Sequence, residues 1–373
     1  MSSHAHIAGW GMYVPEKILT NDDLAKLVET SDEWIRTRTG IVERRVAEER
    51  ETTATMAVEA ARQALNRAEV APEQIDAIIV ATVTGDHLTP ATACLVQAAL
   101  GATRAAAFDV SAGCAGFVYA LGLARMAIAA DQWKTILVIG AETLSRITNW
   151  EDRDTCVLFG DGAGAVVLVA RNAPGGVLST VMGADGSGAD LLIIPAGGCR
   201  QPATRETVEA KLHAIQMDGR AVFRFATRAM PDAISEVLKL ANLTTDQVDL
   251  VIPHQANVRI IEAARKRLNM PEESFFMNLD RYGNTSAASI PIALCEAADQ
   301  GLINDGSLLV MVGFGAGLTW AAAAVRWGIP LPEEPPPLWR RGLWRARFAL
   351  ARVPMLLRRL LYRIWRILPF GQE

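Results

Sequence analysis

The same order of sequence elements occurs twice along this 373-residue chain. Three pairs of equivalent positions keep an offset of 170 to 173 residues: Ile75 with Val248, Cys114 with Asn284, and Thr135 with Ser307. Acidic-then-aliphatic segments are common, so one match would carry little weight. Three matches in the same order predict an internal duplication.

The repeat predicts two βαβ-rich halves that pack as one pseudo-symmetric α/β body, with ligands at the carboxyl ends of the strands near their junction. We place the halves at residues 1–172 and 173–330. A Pro-rich linker at 331–337 and a basic amphipathic tail at 338–373 follow. A chain of this length that is 50% hydrophobic can bury one large core or two fused ones.

A cysteine turn stands in the first half, where the apolar run 105–110 ends at small residues and a helical run begins at Phe117. Cys114 therefore lies at a strand-to-helix turn. A helix N-terminus there lowers the thiol pKa and directs backbone N–H groups at a developing anion, which favours a nucleophile. The alternative is a buried structural cysteine, as most free cysteines are.

Two polar residues of the second half, His254 and Asn284, also fall where we expect apolar strands to end. His254 closes the run 251–253, and Asn284 follows Gly283. Either residue alone is more often a satisfied structural group. Together with Cys114, three such residues at symmetry-related strand ends favour one shared site.

The five cysteines are an odd number without a CxxC pair, and the first ten residues contain no apolar run. This usage indicates a reducing cytoplasm, without a disulfide framework or a metal site. No apolar stretch reaches the 18 or so residues of a membrane span. The glycine-rich strings at 160–164 and 313–317 lack the spacing of a nucleotide-phosphate loop.

Six strings resemble motifs of the β-ketoacyl-acyl-carrier-protein synthase III family: SDEWIRTRTGI at 31–41, DVSAGCAGF at 109–117, VLFGDGAGA at 157–165, PHQANVRI at 253–260, YGNTSAAS at 282–289 and GFGAG at 313–317. The resemblance covers residues 5–328. It implies a thiolase-like, duplicated five-layer α/β/α/β/α fold and a homodimer.

The resemblance also implies a reaction, the decarboxylating condensation that initiates fatty-acid synthesis. Cys114 would take the acyl group from acyl-CoA, and malonyl-acyl carrier protein would then lose CO₂ to give an enolate. His254 and Asn284 would donate hydrogen bonds to the enolate oxygen, and the backbone N–H groups of Cys114 and Gly315 would form an oxyanion hole. No cofactor is implied beyond these two substrates.

Two binding regions are implied in the same way. The adenine of CoA would stack between Trp34 and Arg153, with Arg38 in the same subsite. Asn257 would order water near His254. The acidic carrier protein would dock on a set of mostly exposed residues that mainly speed and orient encounter: Arg224, Gln255, Ala256, Asn257, Val258, Arg259, Lys266 and Arg267.

Thr89 departs from the family pattern. The best-known members carry a phenylalanine there that closes the acyl pocket from across the dimer interface. Threonine removes most of that bulk, so we expect primers longer than acetyl, unless a neighbour such as Leu88 compensates. The sequence leaves primer length and the choice between a fatty-acid and a specialised pathway open.

The tail has no counterpart in the family. Residues 331–373 contain nine arginines and three glutamates, which makes them +6 and residues 1–330 −10. An apolar and a basic helical face with tryptophans favour peripheral contact with the inner face of an anionic membrane. Docking on the acidic body and attraction of the carrier protein are the alternatives, whereas the apolar face disfavours nucleic acid.

Two other functions compete with the initiating condensation. One is a related condensing enzyme or acyltransferase that uses longer primers in a specialised lipid or secondary-metabolite pathway. The other is a non-catalytic, membrane-tethered scaffold. The presence of Cys114, His254 and Asn284 argues against the scaffold.

Overall fold

The computed structural model describes residues 3–328. The predicted linker and tail at 331–373 lie outside the described residues. Within 3–328, no helix combines the length and the apolarity that crossing a bilayer requires.

Thirteen strands occur in the described residues. Their bounds are β1 (His4–Tyr13), β2 (Ile18–Thr20), β3 (Glu43–Arg45), β4 (Ala77–Ala81), β5 (Ala106–Val110), β6 (Thr135–Thr143), β7 (Asp161–Arg171), β8 (Gly176–Ala184), β9 (Leu192–Ile193), β10 (Gln216–Met217), β11 (Leu250–Pro253), β12 (Leu308–Gly315) and β13 (Thr319–Arg326).

Eleven α-helices accompany these strands in the same part of the chain. Their bounds are α1 (Asn21–Leu24), α2 (Asp32–Thr39), α3 (Thr53–Ala68), α4 (Thr92–Leu100), α5 (Gly116–Ala129), α6 (Arg153–Cys156), α7 (Arg205–Glu209), α8 (Gly219–Leu240), α9 (Val258–Leu268), α10 (Leu279–Tyr282) and α11 (Ser289–Asp299).

Two sheets repeat one strand order. The first runs β1-β7-β6-β4-β5 and the second runs β11-β12-β13-β8. In each sheet a parallel pair, β4 with β6 or β11 with β12, is followed by an antiparallel neighbour, β7 or β13. A parallel bridge between Val251 and Phe275 continues the second sheet beyond β11, where β5 continues the first. The predicted duplication therefore has a direct counterpart in the strand order.

The helices complete five layers. Helices α5 and α11 lie between the two sheets in one apolar core that includes Phe117, Ile290 and Met311. Helices α3 and α4 cover the outer face of the first sheet, and α8 and α9 cover that of the second. The predicted thiolase-like α/β/α/β/α fold is confirmed. The division at residue 172 stays a prediction, although β7 of the first sheet ends at Arg171 and β8 of the second begins at Gly176.

One expected strand end is wrong. Asn284 follows the short helix α10 and not a strand, because the apolar segment before it pairs with β11 only through the bridge at Phe275. A second bridge, between Phe159 and Asn284, attaches this segment to the first half. Asn284 thus reaches the junction of the halves by a different route from Cys114 and His254.

Candidate active site

Cys114 lies in a 3₁₀ turn, Gly113–Ala115, between β5 and α5. Gly113 has φ +53°, and a Cβ there would lie 2.8 Å from the backbone nitrogen of Ala316. A side chain at this position would therefore be strained and would also clash. The turn presents Cys114 at the start of α5.

The end of β12 packs directly against this turn. A Cβ on Gly315 would lie 2.6 Å from the Cys114 nitrogen, and a Cβ on Gly313 would lie 3.0 Å from the Cα of Ala115. The glycines of the string 313–317 therefore permit the close approach of β12 to the cysteine turn. Gly315 and Cys114 border the same space.

His254 follows β11 directly, and its backbone N–H donates to the Val312 carbonyl at 2.8 Å. The ring meets Phe314 edge to face at 5.3 Å between centroids. Nδ1 lies 2.7 Å from the Ser289 hydroxyl oxygen, which is also 2.8 Å from the Ser286 carbonyl oxygen. Burial lowers the pKa of His254 from 6.5 to about 3, so the imidazole is neutral at physiological pH.

Asn284 is held by its backbone and by its side-chain oxygen. Its N–H donates to the Leu158 carbonyl at 2.8 Å, and its carbonyl accepts from the Gly160 N–H at 3.0 Å. The side-chain Oδ1 accepts the Ser286 N–H at 2.8 Å. With Oδ1 held in this way, the amide NH2 group at Nδ2 is the donor that Asn284 can offer to a ligand in the cavity that it lines.

The three side chains line one cavity of about 100 Å³. Cys114 is 7%, His254 1% and Asn284 7% exposed, so the polar groups stand in a nearly dry environment. The rest of the lining is mostly apolar: Leu158, Phe159, Leu192, Met217, Val222, Phe223, Ile260 and Phe314. Such a site suits a thioester with an acyl chain better than a highly charged group.

The expected lowering of the Cys114 pKa is wrong for this buried thiol. Burial raises its pKa to about 12, and the nearby Glu142 carboxylate acts in the same direction. A hydrogen bond from the Ser286 hydroxyl opposes the shift without cancelling it. The favourable helix N-terminus is outweighed by the loss of solvation that any thiolate would suffer here.

Trp34 and two arginines form a cluster at the protein surface. The guanidinium carbons of Arg38 and Arg153 lie 4.7 and 4.8 Å from the centre of the Trp34 ring. Helix α2 begins after Ser31, whose hydroxyl accepts the Trp34 N–H at 3.1 Å. Because Arg153 already contacts the ring, a base could enter between them only if that side chain moved.

Two residues of the segment 253–260 have structural tasks that the sequence did not reveal. Gln255 is buried, donates to the Pro253 and Phe276 carbonyls, and accepts the Asn278 N–H. Its side chain is therefore unable to meet a partner, so its assignment to the docking surface is wrong.

Asn257 caps helix α9 and donates to the Arg38 carbonyl at 3.0 Å, while it also lines the cavity. The amide can make further hydrogen bonds besides these two, so the water-ordering role implied for Asn257 stays a prediction. Ala256 also lines the cavity. Val258 lies against Gly40, at the end of α2.

The remaining docking candidates are exposed cations on α8 and α9. Arg259 stacks over Phe223 at 5.7 Å, and Arg267 forms an ion pair with Asp232 at 2.6 Å. Arg224 and Lys266 are also exposed. Arg224 follows Phe223 in the chain and Arg259 stacks on its ring, so these two cations form a basic rim beside the cavity wall at Val222 and Phe223.

Thr89 is exposed in the loop between β4 and α4 and does not line the cavity of its own chain. Its neighbour Leu88 is 96% exposed, an unusual state for a leucine. A role for Thr89 in the acyl pocket therefore depends on a second subunit and stays a prediction.

Three residues near the site were missed by the sequence analysis: Glu142, Ser286 and Ser289. Ser286 and Ser289 lie within the string at 282–289, and their spacing of three residues on a helical turn could have indicated a common face. Glu142 stands near the end of β6, where an acidic residue after an apolar run was the available signal.

Comparisons with known proteins find two family models in this chain. The family model "3-Oxoacyl-[acyl-carrier-protein (ACP)] synthase III" matches residues 108–186, and its C-terminal counterpart matches 238–327. The beta-ketoacyl-[acyl-carrier-protein] synthase III of Caldanaerobacter subterraneus subsp. tengcongensis is 56% identical over 87% of this chain and 98% of its own length. That of Symbiobacterium thermophilum is 56% identical over 86% and 98%.

A solved structure gives the same relationship. The crystal structure of 3-oxoacyl-[acyl-carrier-protein] synthase III from Aquifex aeolicus is 50% identical, with a TM-score of 0.81. The structural match covers 87% of this chain and 100% of the Aquifex aeolicus chain. The C-terminal family match ends at residue 327, before the predicted linker and tail.

Proposed function

The chain belongs to the β-ketoacyl-[acyl-carrier-protein] synthase III family, and from this premise we propose that it joins an acyl-CoA primer to malonyl-acyl carrier protein with loss of CO₂. The product is a 3-oxoacyl-acyl carrier protein, which starts fatty-acid synthesis. The observation that carries the proposal is the cavity that Cys114, His254 and Asn284 share.

In the first half-reaction the Cys114 sulfur attacks the thioester carbonyl of acyl-CoA. A thiolate is a soft nucleophile and also a workable leaving group, which a reaction with two successive thioester exchanges requires. The tetrahedral oxyanion is held by the backbone N–H groups of Cys114 and Gly315. The tight contact between the turn and β12 supports this assignment. The Cys114 thiol releases its proton on acylation, and CoA gains one proton and leaves as the thiol.

In the second half-reaction the malonyl group loses CO₂, and the enolate attacks acyl-Cys114. His254 and Asn284 donate to the enolate oxygen, each typically worth ~3 kcal/mol in such a site. Their neutrality supports this role, because a cation would also stabilise the malonyl carboxylate that must depart. Donation from Nε2 of His254 requires Nδ1 to accept, so the Ser289 hydroxyl proton must turn from the Ser286 carbonyl to Nδ1.

Each substrate binds at a group of exposed side chains outside the cavity. CoA stacks its adenine on Trp34, with Arg38 and Arg153 beside it, and acyl carrier protein meets Arg224, Arg259, Lys266 and Arg267. The exposure of these cations and the acidity of carrier proteins support the assignment. The steps use no cofactor besides the two substrates.

The primer in this proposal is longer than acetyl. Thr89 is a small residue at the position from which the family closes the pocket across a dimer interface. An apolar strand at the sheet edge, β5, and the nearly fully exposed Leu88 support a homodimer that buries this region. Turnover of acetyl-CoA alone, within a series that extends from C4 to C12, would contradict the longer primer.

The protein acts in the cytoplasm, with its predicted tail on the inner face of the membrane. The +6 charge of residues 331–373 and their Leu and Trp content support this contact. Flotation with anionic liposomes compares the full chain with a chain that ends at residue 330. Equal flotation of both would contradict a membrane role for the tail.

Mass spectrometry of the intact protein tests the central proposal. After incubation with mixed acyl-CoAs, we expect one added acyl group, which is absent in Cys114→Ser and is consumed with CO₂ release when malonyl-acyl carrier protein is added. An acyl group that persists without CO₂ release would indicate simple acyl transfer. If Cys114 is not acylated, the proposal is contradicted and the non-catalytic scaffold is favoured.

A further inference from the structure

Arg44 is a completely buried arginine on the short strand β3, and the mechanism above does not use it. None of the ion pairs among residues 3–328 includes its guanidinium. Its Nε has no hydrogen-bond partner in this part of the chain. An unpaired cation is costly to bury, and apolar side chains of similar volume often stabilise a fold better. The burial of Arg44 therefore points to a task other than stability.

The two terminal nitrogens of Arg44 join segments that are distant in sequence. Nη1 donates to the Leu19 carbonyl at 3.1 Å and to the Asn21 side-chain oxygen at 2.9 Å. Nη2 donates to the Val157 carbonyl at 2.8 Å. Leu19 lies in β2 and Asn21 begins α1, whereas Val157 directly follows α6. The guanidinium thus fixes the Val157 carbonyl relative to the region around β2.

Val157 is followed at once by the segment that holds Asn284. The Leu158 carbonyl accepts the Asn284 N–H at 2.8 Å, and the Gly160 N–H donates to the Asn284 carbonyl at 3.0 Å. Phe159, between them, forms the bridge to Asn284. Leu158 and Phe159 also line the cavity. A displacement of the Val157 carbonyl would therefore move both hydrogen bonds that fix the Asn284 backbone.

The Cβ of Arg44 lies against two glycines of the same contact. A Cβ on Gly160 would lie 3.1 Å from it, and a Cβ on Gly283 would lie 3.2 Å from it. Gly283 directly precedes Asn284 and has φ +63°, a conformation that favours glycine. Arg44 therefore packs beside both chains that the bridge joins.

We propose that Arg44 is a positioning residue for Asn284, which must place its amide NH2 group at the enolate oxygen during condensation. The inference rests on the proposed function. Arg44 does not line the cavity, so it acts through the segment 157–160 and not on the substrate. A donor that is misplaced by about 1 Å can cost about 100-fold in rate.

The proposal predicts a difference between the two half-reactions. Acylation uses the sulfur of Cys114 and the backbone N–H groups of Cys114 and Gly315, and none of the hydrogen bonds that Arg44 forms reaches either residue. Condensation also uses Asn284. Loss of the Arg44 guanidinium should therefore slow condensation and spare acylation, whereas a loss of folded protein would lower both rates equally.

The acyl-CoA site should keep its support when Arg44 is replaced. Asn21 retains its Nδ2 hydrogen bonds to the Asp32 carboxylate at 2.8 Å and to the Ile41 carbonyl at 2.9 Å. Asp32 begins α2, the helix that carries Trp34. We therefore expect KM for acyl-CoA to stay unchanged.

Arg125 on α5 supplies a matched control. Its Nε and Nη2 donate to the Val177 and Leu178 carbonyls at 2.9 and 2.8 Å. Like Arg44, it ties backbone carbonyls of a distant segment through its guanidinium, and it does not line the cavity. Arg125→Met makes the same chemical change as Arg44→Met at a position without a contact to the segment 157–160.

The test compares two single-turnover rates of the full chain, both followed by quenched mass spectrometry. One is the transfer of the acyl group from acyl-CoA to Cys114, and the other is the loss of that group when malonyl-acyl carrier protein is added. In Arg44→Met we expect acylation within about threefold of the unaltered rate and condensation at least about tenfold slower. Arg125→Met should leave the ratio of the two rates unchanged.

A double-mutant cycle tests whether Arg44 acts through Asn284. Asn284→Ala alone should slow condensation by about 100-fold. Adding Arg44→Met to that variant should slow it by no more than about twofold further, because the group that Arg44 positions is already absent. Losses that multiply would overturn the proposal, and so would equal losses of acylation and condensation in Arg44→Met.

Arg44→Lys separates position from charge. Lysine keeps the cation but offers one ammonium in place of two separated nitrogens, so condensation should be at least about fivefold slower. Full condensation activity in this variant would overturn the proposal, since the charge alone would then suffice. Where Arg44→Met does not fold, Arg44→Lys takes its place in the cycle with Asn284→Ala.

Failure of the proposed function has a different signature. The unaltered protein would then form no acyl-Cys114, or would form it without consuming it on addition of malonyl-acyl carrier protein. Failure of the inference about Arg44 leaves both steps intact in the unaltered protein and appears only in the variants.

Discussion

The floor of the cavity and its rim use opposite electrostatics. On the floor, Cys114, His254 and Asn284 are buried and uncharged at neutral pH, because burial raises the pKa of the thiol to about 12 and lowers that of the imidazole to about 3. On the rim and the surface around it, the basic side chains of Arg38, Arg153 and helices α8 and α9 are exposed.

This difference separates the chemical steps of the reaction from the association with substrates. Fixed neutral dipoles in a dry site stabilise charge that develops during the reaction and need no reorganisation. Exposed charges are screened and contribute little to a static complex, but they attract and orient a charged partner. Substitutions on the floor should therefore change kcat strongly, and substitutions on the rim should change KM or association modestly.

The largest effect is expected for Cys114→Ala, which removes the nucleophile. Condensation should fall by more than about 10⁴-fold, while slow decarboxylation of malonyl-acyl carrier protein should persist, since His254 and Asn284 still hold the enolate. The measurement is CO₂ release with and without acyl-CoA. Cys94→Ser, outside the cavity, serves as the control, and a similar loss there would refute the assignment of the nucleophile.

Asn284→Ala should lower kcat for condensation by about 100-fold, the effect of losing one donor worth ~3 kcal/mol. The control is Asn278→Ala, which removes another buried amide, one that donates to Glu296 outside the cavity. We expect that variant to lose stability in urea and to keep kcat. Equal kcat losses in both variants would mean that Asn284 acts structurally.

Low pH should destabilise the folded protein through His254. Its folded pKa of about 3 lies below the unfolded value of 6.5, so the unfolded chain binds the extra proton as pH falls below 6.5. At pH 5 this group should lower the free energy of unfolding by about 2 kcal/mol relative to pH 7.5. Urea unfolding of the unaltered protein and of His254→Gln measures it, and parallel pH curves for the two would contradict the burial argument.

On the rim, Trp34→Ala should raise KM for acyl-CoA by about tenfold, within the range of a lost base–aromatic stack, and leave kcat nearly unchanged. Trp34→Phe keeps an aromatic face and should recover most of the affinity. A loss of kcat at saturating acyl-CoA, with unchanged KM, would move Trp34 from binding to a structural role.

The smallest effect is expected for Arg224→Glu on helix α8, namely a several-fold slower reaction with acyl carrier protein that disappears in high salt. Lys239→Glu makes the same charge change near the other end of α8 and should have less effect. If both variants slow the reaction equally, net charge and not a docking surface governs the encounter.

Much of the architecture could be inferred from the sequence, because strand and helix periods are local. The repeat at 170–173 residues predicted two βαβ-rich halves in one pseudo-symmetric body, and the matching strand orders β4-β6-β7 and β11-β12-β13 agree with this duplication. The motifs also identified Cys114, His254 and Asn284, which line one cavity. For Asn284, only the expected strand before it was wrong, since the pairing of a short segment depends on distant strands.

By itself, the sequence determined the duplicated fold and the residues at its centre, because apolar periodicity and small residues at tight turns are read from neighbours along the chain. Only the tertiary structure decided their ionisation. The thiol pKa rises although a helix starts beside it, and Gln255 is buried although it lies in a polar string. Both outcomes depend on desolvation by groups far away in sequence, as does the meeting of Glu142 with Ser286, 144 positions apart.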